Sequence, residues 1–215
     1  HIIGFMLMWT RGFHFSMRNQ TKNVWQKYQG LDELHGKNIL IVGLGEIGTE
    51  TAHIASAFHT RVSAIARSRK EKPPFIERLG TGEDLDAMLP EADFVIITLP
   101  HTDETHDLFD KTKFTLMKPG AIIINIGRGS IINEHDLIDA LKNKIIAGAA
   151  LDVFEKEPLP AHSPLWDMGN VIITPHCAAA SPRVAERHLE LLLTNLRHFL
   201  AGRPLRNVVD KTQWY

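Results

Sequence analysis

From about residue 37 onward, short apolar runs alternate with longer stretches whose apolar residues recur every three or four positions. The runs at 38–42, 61–66, 93–98, 121–126, 145–151 and 170–174 are rich in Val, Ile and Ala and predict strands. Helices are predicted between them at 46–58, 83–89, about 103–116 and 134–142, the third ending before the turn signal Lys118-Pro119-Gly120. Strands alternating with helices predict an α/β fold, a parallel sheet with crossover helices on its faces. Ahead of it, Ile2, Phe5, Met6, Trp9 and Phe13 mark helical spacing over residues 1 to about 20, and Ile2 to Trp9 reads as a buried helix. Behind it, Leu189, Leu192, Leu193, Leu196, Phe199 and Leu200 mark a long amphipathic helix from Val184 to Leu200, with Gly202 as its stop.

The run Asn38-Ile39-Leu40-Ile41-Val42 leads directly into Gly43-Leu44-Gly45-Glu46-Ile47-Gly48, which opens the helix carrying Ile47, Ile54, Ala55 and Phe58. A GxGxxG turn between strand and helix is the fingerprint of a dinucleotide-binding site, in which glycines let the backbone meet a pyrophosphate and the helix N–H groups meet its charge. That sharpens the fold class to a Rossmann-type doubly wound parallel sheet. Ligands of such sheets bind beyond the carboxyl ends of the strands, where every other motif of this chain also falls.

Composition narrows the functional classes. With 215 residues, 44% of them hydrophobic, and a net charge of −1, the chain has neither the basic excess of a nucleic-acid binder nor the polarity of a disordered chain. No segment has the length of a membrane span, so neither nucleic acid nor membrane is an expected partner. Cys177 is the single cysteine, which fits a reducing, cytoplasmic setting and reads as a small side chain filling space. His101, His106 and His135 show no metal-ligand spacing, and no metal is expected.

Four strand ends carry candidate chemistry. The second strand ends at Ala66, without the carboxylate that usually accepts the adenosine ribose hydroxyls, and continues Arg67-Ser68-Arg69-Lys70. Forked arginine donors and a serine hydroxyl suit a phosphate on that ribose, so NADPH is expected over NAD as the cofactor. Asn125-Ile126-Gly127-Arg128-Gly129 places an arginine on a glycine-flanked turn, where a fixed guanidinium clamps a carboxylate and polarises a neighbouring carbonyl. Leu151 to Pro158 and Thr174-Pro175-His176 follow the next two strands and offer carboxylates and an imidazole. Reducing a ketone by hydride requires a proton for the forming alkoxide, and a histidine oriented by a carboxylate supplies one near neutral pH. Trp166 is read as packing against its own domain, with a place at the border of the substrate pocket as the alternative.

These motifs, together with Leu99-Pro100 and Thr105, Lys118-Pro119-Gly120 and Ser163-Pro164-Leu165-Trp166, occur in an order and spacing that resemble the D-isomer-specific 2-hydroxyacid dehydrogenase family from about residue 1 to the end. The Arg-Ser-Arg run and the Ser-Pro-Leu-Trp segment bring the chain nearest to its glyoxylate/hydroxypyruvate reductase branch. The resemblance implies that Arg128 binds the 2-oxo acid, that Glu157 pairs with the catalytic histidine and that His176 donates the proton. It implies cofactor contacts at Gly43, Gly45, Glu46, Ile47, Gly48, Arg67, Ser68, Arg69, Leu99, Pro100, Thr105 and Ile126, and places Asp152 near the nicotinamide carboxamide. Relatives carry roughly a hundred residues ahead of the position of His1 that form most of a substrate lobe, so that part is expected to be absent here. The expected organisation is a connector at 1–29 toward that lobe or a dimer partner, a dinucleotide-binding domain at 30–180, and a C-terminal helix and tail at 181–215 returning to the lobe. The expected activity is NADPH-dependent reduction of a small 2-oxo acid to a D-2-hydroxyacid by a homodimer. The rival expectations are a dinucleotide-sensing, corepressor-like binding protein and a cofactor-binding fragment of the enzyme.

Overall fold

The computed structural model describes residues 1–68, 71–209 and 211, in two compact units, His1–Ala178 and Ala179–Tyr215. Among the described residues of the first unit, strands β1 (Asn38–Val42), β2 (Arg61–Ile65), β3 (Arg78–Gly80), β4 (Phe94–Ile97), β5 (Ile122–Asn125), β6 (Gly148–Leu151) and β7 (Val171–Ile173) form one sheet in the order β3-β2-β1-β4-β5-β6-β7. Every neighbouring pair is parallel, with Ile41 opposite Ala64 on one side and Ile96 on the other. The order reverses between β1 and β4, which opens the crevice where doubly wound sheets bind ligands.

The strands read as unbroken apolar runs because both faces are covered. On one face Leu40, Val42, Val95, Ile97, Ile123 and Leu151 meet Phe109, Phe114, Leu137 and Leu141. On the other, Ile39, Ile41, Val62, Ile96, Ile122 and Ile124 meet Ile2, Phe5, Met6, Ala52 and Ala55. The covering helices are α1 (Ile2–Thr10), α3 (Glu46–Ser56), α4 (Leu85–Met88), α5 (Lys111–Leu116) and α6 (Glu134–Lys142), while α2 (Phe13–Gln20) packs on α1 through His14. α6 begins at Asn133, whose side chain accepts from the Asp136 amide, and its span coincides with the prediction.

Three elements depart from expectation. β3 was not anticipated: it is three residues long, lies at the sheet edge and carries Leu79 as its one large apolar residue, too little for a periodic signal. The helix expected over 103–116 is confined to α5. Asp107 adopts a left-handed φ of 50° and donates to the Ser130 carbonyl, and Phe109, fully buried, bridges to Ile132, so tertiary pairing pulls this stretch out of helix. Asp110 then starts α5 by accepting from the Lys113 amide. The opening segment is two helices instead of one, broken at Arg11 and Gly12, where the glycine takes a φ of 62°.

Helix α1 is buried as expected, and what buries it is the sheet of its own unit. Its Trp9 lies where a Cβ on Gly148 would fall, so the start of β6 is shaped to receive the indole. His14 stacks on Trp9 with centroids 4.5 Å apart and meets Tyr28 edge-on. Burial lowers the His14 pKa from 6.5; the bond to the Met8 carbonyl opposes this and Arg18 adds to it. The folded state therefore favours neutral His14, and its contribution to stability is complete above 6.5 and lost as pH falls through that value toward the lower folded pKa. Replacing His14 by Phe is expected to reduce the fall in Tm between about pH 7 and 5 relative to wild type, measured by thermal unfolding. An unchanged slope counts against the role of His14. Phe13, Met17 and Trp25, beyond α1, remain exposed.

The second unit holds α7 (Val184–Leu200), which spans its predicted range. Gly202, with φ 64°, ends it, and the returning chain is held by paired bonds between the Asn195 side chain and the Arg206 backbone. Among the described residues no helix is long and apolar enough to cross a membrane.

Candidate active site

The glycine turn sits at the carboxyl end of β1. Gly43 has a φ of 112°, and its carbonyl accepts from the Thr98 hydroxyl at 2.6 Å, joining the turn to the end of β4. A Cβ on Gly48 would lie 2.2 Å from that same carbonyl oxygen, so only glycine lets α3 pack this close to the strand. A Cβ on Gly45 would meet nothing within 4 Å, and no side chain caps the start of α3. Open space thus lies over the unsatisfied N–H groups of a helix N-terminus, which is the cradle a pyrophosphate requires. Gly45, Glu46 and Ile47 line it from exposed positions. Leu99 packs against Gly43, and Thr105 staples the following turn by donating to the Pro100 carbonyl and accepting from the Thr102 amide, both at 2.8 Å.

At the end of β2, Ala66 is buried and has no polar group for a ribose, while Arg67 and Ser68 are exposed beyond it. Arg69, expected to join them, lies outside the described residues.

Arg128 stands on the turn after β5. Asn125, the last residue of that strand, is buried and braces the turn from within: its amide oxygen accepts from Gly127 N at 3.0 Å and its amide nitrogen donates to Arg128 O at 2.9 Å. The exposed Arg128 guanidinium donates back to the Gly127 carbonyl at 2.7 Å. Next to it, a Cβ on Gly129 would fall 1.9 Å from the carbonyl carbon of Phe154, so the two turns touch backbone to backbone.

Phe154 belongs to the segment after β6, and its amide donates to Glu157 Oε1 at 3.0 Å. The other carboxylate oxygen meets His176 Nδ1 at 2.6 Å. Desolvation pushes the Glu157 pKa up, but the bond and charge of His176 and the Phe154 amide outweigh it and hold the carboxyl below its ordinary value. His176, after β7, has a left-handed φ of 49°, and its amide donates to Asp152 O at 2.8 Å. Asp152 is 1% exposed; its carboxylate accepts from Thr174 Oγ1 at 2.5 Å, Cys177 N at 3.0 Å and Ala178 N at 2.8 Å. Within this structure its observed work is to hold the turn that carries His176.

The structure therefore brings Arg128, Glu157 and His176 to the ends of three adjacent strands, on the sheet edge that also carries the glycine turn. Ile126, half-buried, follows β5 on the same edge. Sequence reasoning missed Asn125, Thr174 and Phe154 as supports. Asn125 had left a signal, a lone polar residue closing the apolar run Ile122-Ile123-Ile124. Trp166 donates to the Pro160 carbonyl of its own loop and stays half exposed.

Residues 3–178 match the family described as D-isomer specific 2-hydroxyacid dehydrogenase, NAD binding domain. A glyoxylate/hydroxypyruvate reductase B of Enterobacter sp. (strain 638) is 39% identical over 191 residues, 88% of this chain and 58% of that protein. A glyoxylate reductase of Aeropyrum pernix is 41% identical over 181 residues, 83% of this chain and 53% of that one. The crystal structure of an NADPH-dependent glyoxylate/hydroxypyruvate reductase from Sinorhizobium meliloti, in complex with NADP and sulfate, superposes with a TM-score of 0.86 at 31% identity, covering 100% of this chain and 68% of its own. The chain thus spans somewhat more than half the length of the curated relatives it matches. With the family's nucleotide-binding fold, its glycine turn and its strand-end motifs all present, the chain belongs to the D-isomer specific 2-hydroxyacid dehydrogenase family, which it matches over the NAD binding domain.

Proposed function

We propose that this chain is the dinucleotide-binding part of an oxidoreductase that reduces small 2-oxo acids, of the glyoxylate and hydroxypyruvate kind, to D-2-hydroxyacids with NADPH. The observation that carries the reading is the His176 Nδ1 to Glu157 Oε2 bond of 2.6 Å, on the sheet edge that bears the glycine turn. When bound, the dinucleotide supplies the hydride for the carbonyl carbon. This chain supplies the proton donor, its carboxylate partner and an arginine for the substrate. With Nδ1 taken by Glu157, His176 delivers its proton from Nε2 to the carbonyl oxygen. Glu157, held below its ordinary pKa, stays ionised at neutral pH, fixes the ring and stabilises the imidazolium that precedes transfer. Arg128 clamps the substrate carboxylate and draws charge from the carbonyl, its turn stiffened by Asn125. In this reading 1–29 and 181–215 connect to a substrate lobe, and the exposed Phe13, Met17 and Trp25 belong to a contact between two copies.

NADPH is the proposed cofactor because Ala66 leaves no carboxylate at the ribose position and Arg67 and Ser68 follow it; the Sinorhizobium meliloti relative holds NADP. The test is kcat/KM for NADPH against NADH with a panel of 2-oxo acids. NADPH is expected to be preferred, and Arg67→Ala to lower that preference about 10- to 100-fold, the worth of one charge-assisted hydrogen bond. A wild-type preference for NADH rejects the assignment, and no turnover of any 2-oxo acid with either dinucleotide rejects the activity.

A further inference from the structure

Next to the candidate active site, His1, Asp152 and Cys177 each present one ligand atom, and the three atoms lie within 4.8 Å of one another. Among the described residues this is the one place where three such groups converge. We propose that they form a binding site for a borderline-soft divalent cation of the zinc type, with an open fourth position.

The donor set carries the choice of metal. One thiolate, one imidazole and one carboxylate suit zinc, whereas magnesium and calcium take oxygen donors. Zinc bonds of about 2.0–2.3 Å place tetrahedral ligand atoms roughly 3.3–3.8 Å apart. His1 Nε2 already stands 3.7 Å from Asp152 Oδ1, so closing the site requires only a small approach of the sulfur. Three protein ligands leave the fourth position to water or a small anion.

The groups are also held in place. The His1 ring packs edge-on against Phe5 with centroids 4.7 Å apart, and its Nε2 bonds to Thr174 Oγ1 at 3.0 Å. Asp152 is 1% exposed; its Oδ1 accepts from Thr174 Oγ1 and Cys177 N and its Oδ2 from Ala178 N alone, so one acceptor position stays open on Oδ2, and a cation between His1 Nε2 and Oδ1 takes the place of the Thr174 hydroxyl that bridges those two atoms here. A buried anion with an unfilled acceptor position beside a thiol and an imidazole is a cation site by charge as well as by ligand type. Coordination releases the Cys177 proton to solvent. The metal would tie the start of α1 to the turn from Thr174 to Ala178, a link that hydrogen bonds among His1, Thr174 and Asp152 already sketch.

The test reads the metal alone and is independent of turnover. Wild-type chain titrated with Co2+ is expected to bind one ion and show a thiolate-to-cobalt charge-transfer band, displaced by Zn2+. Cys177→Ser is expected to abolish the band, and Cys177→Ser and His1→Gln each to weaken Zn2+ binding at least about tenfold, since even outer-shell partners of a metal cost that much. Zn2+ should raise the Tm of wild type and not of Cys177→Ser. Absence of the band in wild type, or Zn2+ affinity unchanged in both variants, would overturn the site and leave the metal to exposed histidines elsewhere.

Discussion

Replacing His176 by alanine is expected to lower kcat for 2-oxo acid reduction by about 10²- to 10⁴-fold, the usual worth of a positioned general acid. The dissociation constant for NADPH should stay within about twofold, because the glycine turn at the end of β1 does not depend on the imidazole. The effect is large because the ring has been built into one orientation. Its left-handed φ of 49° turns it out of the line of β7, the Asp152 carboxylate fixes the amides of Cys177 and Ala178, and Glu157 takes Nδ1 at 2.6 Å. A substituted side chain recovers none of this. Glu157→Gln should retain the shape and lose the charge, giving a smaller fall in kcat and a shifted pH profile. In wild type the carboxyl is held low, so its support of His176 is present above the ordinary carboxylate range and lost as pH falls through the lowered folded pKa. Steady-state rates and dinucleotide binding by fluorescence test both variants, and unchanged turnover in His176→Ala removes the histidine from the mechanism.

Gly129→Ala is expected to damage stability and catalysis together. The new Cβ would fall 1.9 Å from the Phe154 carbonyl carbon, 2.0 Å from its oxygen and 2.4 Å from Glu155 N, all of them backbone atoms. No rotamer change relieves such a clash, so the Arg128 turn and the Phe154 turn must part. Overpacking of this kind costs about 1–3 kcal/mol or more, a fall in Tm of roughly 2–12 °C for a chain of this size. The separation also acts on the chemistry, because the Phe154 amide holds Glu157 and Glu157 holds His176. A displacement near 1 Å at a reacting group costs about 10²-fold, and kcat/KM should fall at least that far. Gly120→Ala is the control: its Cβ would meet nothing within 4 Å, and its effect should stay within about 0.5 kcal/mol. A Gly129→Ala protein as stable and active as wild type would mean that the two turns yield independently.

The central strands were legible because they are buried on both faces, so each residue from Ile39 to Val42, or from Ile122 to Ile124, had to be apolar whatever its direction. The glycine turn was legible because its constraint is local: Gly48 lies only five positions along the chain from the Gly43 carbonyl it must approach. α6 carried its own start signal in Asn133. By contrast, the stretch 103–110 has helix-compatible residues and is held out of helix by partners at 130–133. β3 exists because β2 offers it an edge.

The same division runs through the site. Residue types and their order along the chain determined by themselves that an arginine, a glutamate and a histidine follow successive strands, since a parallel sheet brings successive carboxyl ends to one edge. Tertiary structure alone decided that Gly129 abuts Phe154, that Asp152 turns its carboxylate inward to the turn bearing His176, and that His1 meets Cys177 from the opposite end of the first unit. The physical reason is that periodicity and turn chemistry record what each residue needs from its surroundings, solvent or core, strand or turn. Which distant residue meets that need is settled only when the chain closes on itself.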